Sequence, residues 1–480
     1  MFRDLATGSS QTVRRCDLLI LGAGPAGITL AVEASRMALG MDIVLAEAGG
    51  LDRPGADELR LYDGESTGDS VYPINGTRLR YFGGTSGHWG GWCKPLDAID
   101  LEHRPEAGSP GWPLDPGELQ PHYRAAAEWL ELGSSDFSID SLDAGTRDRL
   151  LNFAHSEWFT NRLFRISPPT RFGDRYRATI QDGEGIECIL NAAAVAYVDR
   201  GRRLHEVTLS GLHGKHQKIQ AGRVVIAMGG IESTRHLLLL QSAGCAWPGL
   251  INGHLGRGFA DHFGPRTGLL SLPAGLRYER SKSYDQIVMP VITPSDNALR
   301  TQRWKNACML LQPSSSTALL PRAYLQQPLF SGTEHWHYRT QMILEPSRNS
   351  DSRIILGGER DALGLPRVSL HWDIRSDDFR SGVAVYERLI QEISTSGLGR
   401  GQLVELDPEQ LRRNGNPVAH HMGSAMMSAN AENGVVDRNL KVFGSDNLYV
   451  ASSAVFPSFG YSNPTMTIVA LAHRLAHQLG

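Results

Sequence analysis

Residues 16–31 read CDLLILGAGPAGITLA. An apolar run ends at Gly22, glycines recur at Gly24 and Gly27, and an alanine-rich apolar stretch follows. The run over 17–21 has the length and composition of a short buried strand, and 28–39 reads as a helix. A second strand over 42–46 ends on Glu47, so the unit is strand, turn, helix, strand. In such a turn the first glycine permits the tight bend and the second lets backbone approach a pyrophosphate. The third lets helix and strand pack closely, while the helix N-terminus supplies partial positive charge for phosphates. Glu47 stands where an acid accepts hydrogen bonds from a ribose. The unit predicts dinucleotide binding, but its spacing does not separate FAD from NAD.

Working outward, residues 1–11 read as a flexible polar tail. The segment 81–91 is dense in glycine and aromatics, a loop held by packing. Asp115-Pro116 signals the start of a helix. Strand patterns over 188–195 and 206–212 precede the apolar strand 223–227, which runs through Gly229-Gly230 into a helix over 232–242. Between 265 and 395 the patterns at 335–345, 352–358 and 367–374 predict an antiparallel sheet. A last helix is predicted over 467–479. The expected fold is α/β, a doubly wound nucleotide-binding domain with an inserted α+β substrate domain. The first is assigned 12–105, 185–265 and 415–480, and the second 106–184 and 266–414.

Composition narrows the function. At 480 residues with 41% hydrophobic content, the chain has ample material for a large core. A net charge of −3 gives no whole-chain attraction to nucleic acid or anionic lipid. No run approaches the roughly 18 apolar residues of a membrane span. Arg14-Arg15 before an apolar run is read as the entry to the first strand and not as an export signal. Cys16, Cys93, Cys188, Cys245 and Cys308 are scattered without a CxxC pair, which argues against disulfides and suits a reducing, cytoplasmic compartment.

The C-terminal block carries the chemistry: His420 in AHHMGSAMMS and Asn463 in SNPTMT. Oxidising an alcohol requires removal of the hydroxyl proton, and a neutral imidazole can accept it near physiological pH. Asn463 can hydrogen-bond the same oxygen. His421 is adjacent, and on a strand successive side chains face opposite ways, so only one of the two histidines should reach the site. His473 and His477 lie four apart on the last helix. With no third ligand evident in the sequence, they are read as a solvated or packed face, and no metal is expected.

GAGPAG with EAGG, YFGGTSGHWGG, NAAAV, RVVIAMGGIES, LGRGFADH and the C-terminal block stand in this order over most of the chain. Together they resemble the glucose–methanol–choline (GMC) oxidoreductase family. Within it the chain is most similar to pyranose-2-oxidase-like bacterial sugar and glycoside oxidoreductases. The resemblance implies FAD as cofactor and the sites that follow. Pro25, Ala26 and Ala48 would join the glycines and Glu47 around the dinucleotide. Gly83, Gly84, Thr85, Trp89 and Gly91 would lie along the flavin loop. Ala194, Val195, Ala227, Gly229 and Ser452 would touch the cofactor, with Pro464 and Thr465 near the flavin pyrimidine.

His88 matches the position bonded covalently to the flavin in several members; packing beside the ring without a bond is the other reading. Gly90 lacks the side chain that pyranose 2-oxidase places near the flavin, which leaves oxygen reactivity open. His420 matches the family's base and Asn463 its partner. Gln341 and Glu345, on one face of a predicted strand, are candidates for binding a substrate hydroxyl. The implied reaction is oxidation of CH–OH to carbonyl on a small alcohol, most readily a sugar, glycoside or cyclitol. Electrons would pass to O2 or another acceptor. A dehydrogenase using a quinone or protein acceptor, and a redox-neutral lyase or isomerase, are the alternatives. The oligomeric state stays open.

Overall fold

The computed structural model describes the chain except residues 8–12, 39, 69–71, 106–107, 213, 314–334, 404–408 and 410–416. The opening motif folds as read. β2 (Arg14–Leu21) leads through the glycine turn into α1 (Pro25–Met37) and on to β3 (Ile43–Ala46). The last four residues of β2 and all of β3 are buried, because helices cover both faces of the parallel sheet here. The sheet has eight strands. Its order is β1 (Phe2–Asp4), β7 (Ile186–Leu190), β3, β2, β10 (His216–Ile226), β9 (Arg203–Ser210), β8 (Ala193–Arg200), with β19 (Leu448–Val450) also on β10. The pairs from β1 to β10, and β10 with β19, are parallel; β8, β9 and β10 form an antiparallel meander.

Two expectations need correction here. The N-terminus is not a free tail over its described part, since Phe2–Asp4 pairs in register with Cys188–Leu190. An unpaired parallel edge at β7 offers a ladder of N–H and C=O groups. Phe2 anchors the added strand edge-on against Phe82, with centroids 5.1 Å apart. Residues 8–11 of that expected tail lie outside the described residues. The single strand expected over 188–195 is two strands, broken at Asn191, which adopts φ 53°, a left-handed conformation that Asn tolerates.

The second sheet is antiparallel and takes in the predicted segment 335–345, whereas the segments predicted beside it at 352–358 and 367–374 fall in a separate small sheet. Its order is β18 (Arg400–Leu403), β11 (Arg266–Pro273), β15 (His335–Leu344), β14 (Ala307–Pro313), β13 (Gln286–Pro294), β6 (Phe159–Ile166), β5 (Trp92–Cys93), with β12 (Ser281–Ser283) on β13. A third, small sheet joins β16 (Arg353–Arg360), β17 (Pro366–Trp372) and β4 (Gly64–Gly68). Strands β4 and β5 therefore leave the 12–105 segment to pair with the substrate side.

The reverse happens in 106–184. There α2 (Pro116–Trp129) and α3 (Phe172–Asp182) pack on the nucleotide-binding side. Tyr123 on α2 bonds Thr467 of the last helix at 3.0 Å, and Trp129 donates to Glu33 of α1 at 3.0 Å. The boundary at residue 106 was placed by pattern, and these apolar helix faces find their cover on α1 and on the last helix instead. α2 starts as its sequence dictates, with Asp115 capping Gly117 N–H, Pro116 following, and Glu118 closing a capping box. Two further long helices complete the frame, α4 (Gly229–Ser242) and α5 (Ser376–Thr395), before α6 (Pro464–Leu479) ends the chain. No helix among the described residues is long and apolar enough to cross a membrane.

Candidate active site

A cavity of about 550 Å³ opens at the C-terminal ends of β2, β3 and β10, where an α/β sheet binds its ligand. The glycine turn forms one wall. Gly22 sits at φ +105°, and a Cβ there would meet the carbonyl oxygen of Ala227 at 2.7 Å. At Gly24 a Cβ would meet nothing within 4 Å, so that backbone is open to close approach by a ligand. Glu47 is buried and accepts from Ala23 N–H at 2.8 Å and Gly49 N–H at 2.9 Å. The acid thus holds the turn it belongs to, and each carboxylate oxygen keeps a lone pair for a further donor.

The loop over 84–91 forms a second wall. Gly83 N–H donates to Ala23 O at 2.8 Å, tying loop to glycine turn. Arg53 donates to Gly87 O, and Arg171 to Ser86 O and Trp89 O. Phe172 N–H donates to the Ser86 hydroxyl, and Trp89 Nε1–H to Thr170 O. The segment 168–173 (PPTRFG) is the brace of this loop. His88 lines the cavity, and partial burial, then the cations Arg171 and Arg53, lower its pKa.

The third wall is the C-terminal block. His420 Nε2 lies 2.9 Å from Asn463 Nδ2, and His420 Nδ1 lies 2.8 Å from Nδ1 of His262. The other ring nitrogen of His262 faces Gly460 O at 2.8 Å. A carbonyl only accepts, so His262 carries its proton on Nε2 and presents a bare Nδ1. His420 must then donate from Nδ1, which leaves Nε2 as an acceptor, its lone pair taken by Asn463 Nδ2–H at the cavity wall. Burial, then His262 and His421, holds the His420 pKa well below the usual 6.5; burial also pushes His262 down to about 4.

Asp261 sets the backbone. It is fully buried and accepts from His420 N–H, Ala419 N–H and the Tyr72 hydroxyl at 2.8, 2.9 and 2.7 Å. Burial raises its carboxyl to about 7, with those donors pulling the other way. Ala419 takes φ 64°, so 419–421 is not a regular strand. His420 and His421 consequently both line the cavity, contrary to the expectation that alternation would turn one away. His421 is occupied by Thr77 at 3.0 Å.

Comparison with known proteins bears on this constellation. The model of a family described as GMC oxidoreductase matches residues 348–472, the stretch that holds both His420 and Asn463. The C-terminal segment of the chain is thus similar to that of GMC oxidoreductases. A GMC-type oxidoreductase of Rhodococcus erythropolis is 22% identical over 95% of this chain and 97% of its own length. The large subunit of a Gluconobacter japonicus fructose dehydrogenase is 28% identical over 26% of this chain and 22% of its own length. Among solved structures, pyridoxine 4-oxidase from Mesorbium loti superposes with a TM-score of 0.60 at 16% identity, covering 96% of this chain and 99% of that one. An Aspergillus oryzae RIB40 formate oxidase, described for an effect of mutation on FAD modification, gives 0.60 at 16%, covering 98% and 99%. At such identity the likeness is one of fold.

FAD is the cofactor that the family resemblance implies, and the residues fit it. Gly22 and Gly24 leave bare backbone, Glu47 offers carboxylate lone pairs, and Asn463 Oδ1 is buried without a hydrogen-bond partner. A buried acceptor left so costs about 1–3 kcal/mol, and a bound donor relieves it. Most residues named from the sequence line the cavity: Pro25, Ala26, Ala48, Gly84, Thr85, Gly90, Gly91, Ala194, Gly229, Ser452, Pro464 and Thr465 among them.

Five named residues do not line it. Gly27 packs helix on turn, since a Cβ would fall 1.9 Å from Gly22 O. Gly83 backs the loop against Gly173. Val195 falls past the break at Asn191, within β8. Gln341 donates to Gly264 O at 3.0 Å, and Glu345 is buried against Arg104 at 2.9 Å, so neither reaches the cavity to meet a substrate.

Sequence reading missed a buried ionic group on the cavity wall. Arg78 pairs with Glu232 at 2.6 Å, and Arg235 with Glu232 at 3.1 Å and with Asp361 at 2.7 Å. Burial alone would raise Glu232, yet Arg235 and Arg78 hold it at about 2. Glu232 and Arg235 stand three apart on α4, but Arg78 and Asp361 are far from them in the chain, so the group as a whole carries no spacing signal. His262 and Asp261 were quoted within LGRGFADH without a role. A buried Asp-His pair in a resembling motif was the available signal.

Proposed function

We propose that this oxidoreductase converts the CH–OH group of a small carbohydrate-like alcohol to a carbonyl, with His420 as base and Asn463 as orienting partner. The carrying observation is the chain from Gly460 O through His262 to His420, which makes His420 Nε2 an acceptor at the cavity wall, where it takes Asn463 Nδ2–H. A substrate hydroxyl donating to that nitrogen can pass its proton to it. Asn463 Nδ2–H holds that lone pair until the hydroxyl takes its place, and the freed amide N–H can then donate to the substrate oxygen and orient it. FAD, when bound, supplies the hydride acceptor. Gly22, Gly24 and Glu47 would hold its diphosphate and ribose end, and the loop of His88 its ring end. Of the two readings for His88 we take the covalent bond, supported by its place on the cavity and its lowered pKa, since a neutral imidazole is the nucleophilic form.

The sugar preference, and the pyranose-oxidase-like subtype, rest on resemblance. The partial match to a fructose dehydrogenase subunit supports a sugar and also an acceptor other than O2, whereas the two named structures are oxidases. Five free cysteines support a reducing, cytoplasmic location. The deciding experiment is anaerobic mixing of the FAD-loaded protein with sugars, glycosides and cyclitols. Bleaching of the visible flavin band by at least one of them is expected. No bleaching by any candidate alcohol would sink the oxidation reading. Peroxide formed under air would assign an oxidase, and its absence a dehydrogenase.

A further inference from the structure

His473 and His477 stand four residues apart on α6, which puts both imidazoles on one face. Their rings stack with centroids 4.4 Å apart. Two other helices close on that face. α1 brings Glu33, and one ligand atom from each of Glu33, His473 and His477 lies within 4.8 Å of the other two. Glu33 is buried, and Trp129 Nε1–H at 3.0 Å and Arg36 at 2.9 Å both bond its Oε1. Neither engages Oε2. α2 brings His122, whose Nδ1 lies 2.9 Å from Nδ1 of His473. The sequence showed no third candidate group here, and the fold brings one, Glu33, from the other end of the chain. None of these four side chains lines the cavity, and His473 is about 14 Å along the helix from Pro464 at 1.5 Å per residue.

We propose that Glu33, His473 and His477 bind a divalent transition-metal ion, with His122 as the positioning partner of His473. Two imidazoles and one carboxylate suit borderline ions such as Zn²⁺, whereas Mg²⁺ and Ca²⁺ prefer oxygen alone. Only one proton fits between the facing Nδ1 atoms. His473 donating it to His122 leaves its other nitrogen bare, the arrangement that an outer partner gives to a ligating histidine. His477 is exposed, so an ion has a way in, and three protein ligands leave a position for water. An ion here links α1, α2 and α6, and α6 begins at the residue after Asn463.

The test is calorimetric titration of the tag-free, chelator-stripped, FAD-loaded protein with ZnCl2, together with its thermal unfolding midpoint. One Zn²⁺ per chain and a midpoint that rises with Zn²⁺ are expected. His477→Ala removes an exposed side chain, so the fold should stand while Zn²⁺ affinity falls at least ~10-fold and the midpoint shift disappears. Glu33→Gln keeps the hydrogen bonds of the buried site and should weaken binding similarly. No equimolar binding event, or an affinity unchanged in both variants, would overturn the proposal and leave the histidines a packed helix face.

Discussion

At the scale of single residues, the site turns on which nitrogen of His420 holds a proton. Three hydrogen bonds in series, ending on a carbonyl that can only accept, make Nε2 the accepting nitrogen, with Asn463 Nδ2–H upon it. His420→Ala should lower the rate of FAD reduction by substrate roughly 10²–10⁴-fold while FAD stays bound; unchanged reduction kinetics would remove it as base. Its folded pKa lies well below 6.5, so the neutral, accepting form persists as pH falls through that value. The acid limb of the reduction rate should therefore inflect below pH 6.5, and an inflection at or above it would contradict the burial argument. His262 acts through His420. His262→Phe should cost on the order of 10–100-fold in kcat with KM little changed. His262→Gln, whose amide oxygen can accept from Nδ1–H, should restore part of it, which a merely structural role would not give.

At the scale of elements, the glycine turn and the His88 loop are one assembly. Gly27 has no room for a methyl, because the carbonyl of Gly22 stands 1.9 Å from where it would be. Gly27→Ala should yield protein that no longer retains FAD through gel filtration, whereas Gly24→Ala, with open space, should fold and lose affinity only. The loop is held from outside by Arg53 and Arg171, which clamp its carbonyls. If His88 is bonded to the flavin, the yellow colour stays with the protein after acid denaturation, and Arg171→Ala should lower the fraction so retained. Colour released entirely into the supernatant rules the bond out. The strand and helix patterns made these elements legible, but not their mutual bracing. A strand's period tells which face is buried, not which distant carbonyl an arginine will find.

At the scale of the molecule, the chain crosses between its two sides more often than a linear division allows. β4 and β5 pair with the substrate side, while α2 and α3 cover α1 and α6. Arg78, Glu232, Arg235 and Asp361 bind the loop after β4, α4 and the β16–β17 turn into one buried, charge-balanced group. Arg235→Met would leave Asp361 and part of Glu232 uncompensated in the interior. It should destabilise the fold by roughly 3–5 kcal/mol, read as a lowered unfolding midpoint. The sequence by itself determined the βαβ entry, the antiparallel strand over 335–345, the family resemblance and the His420–Asn463 pair. Those rest on local periodicity, on glycine's steric freedom and on motifs short enough to read in line. Only the tertiary structure decided that His421 shares the cavity, that Glu345 is spent on Arg104, and that Asp261 and His262 stand behind the base. It also decided that Glu33 and His122 meet His473 and His477. Such meetings come from burying apolar helix and sheet faces against one another. That process fixes which distant polar side chains end up within bonding distance, and it leaves no periodic trace in the chain.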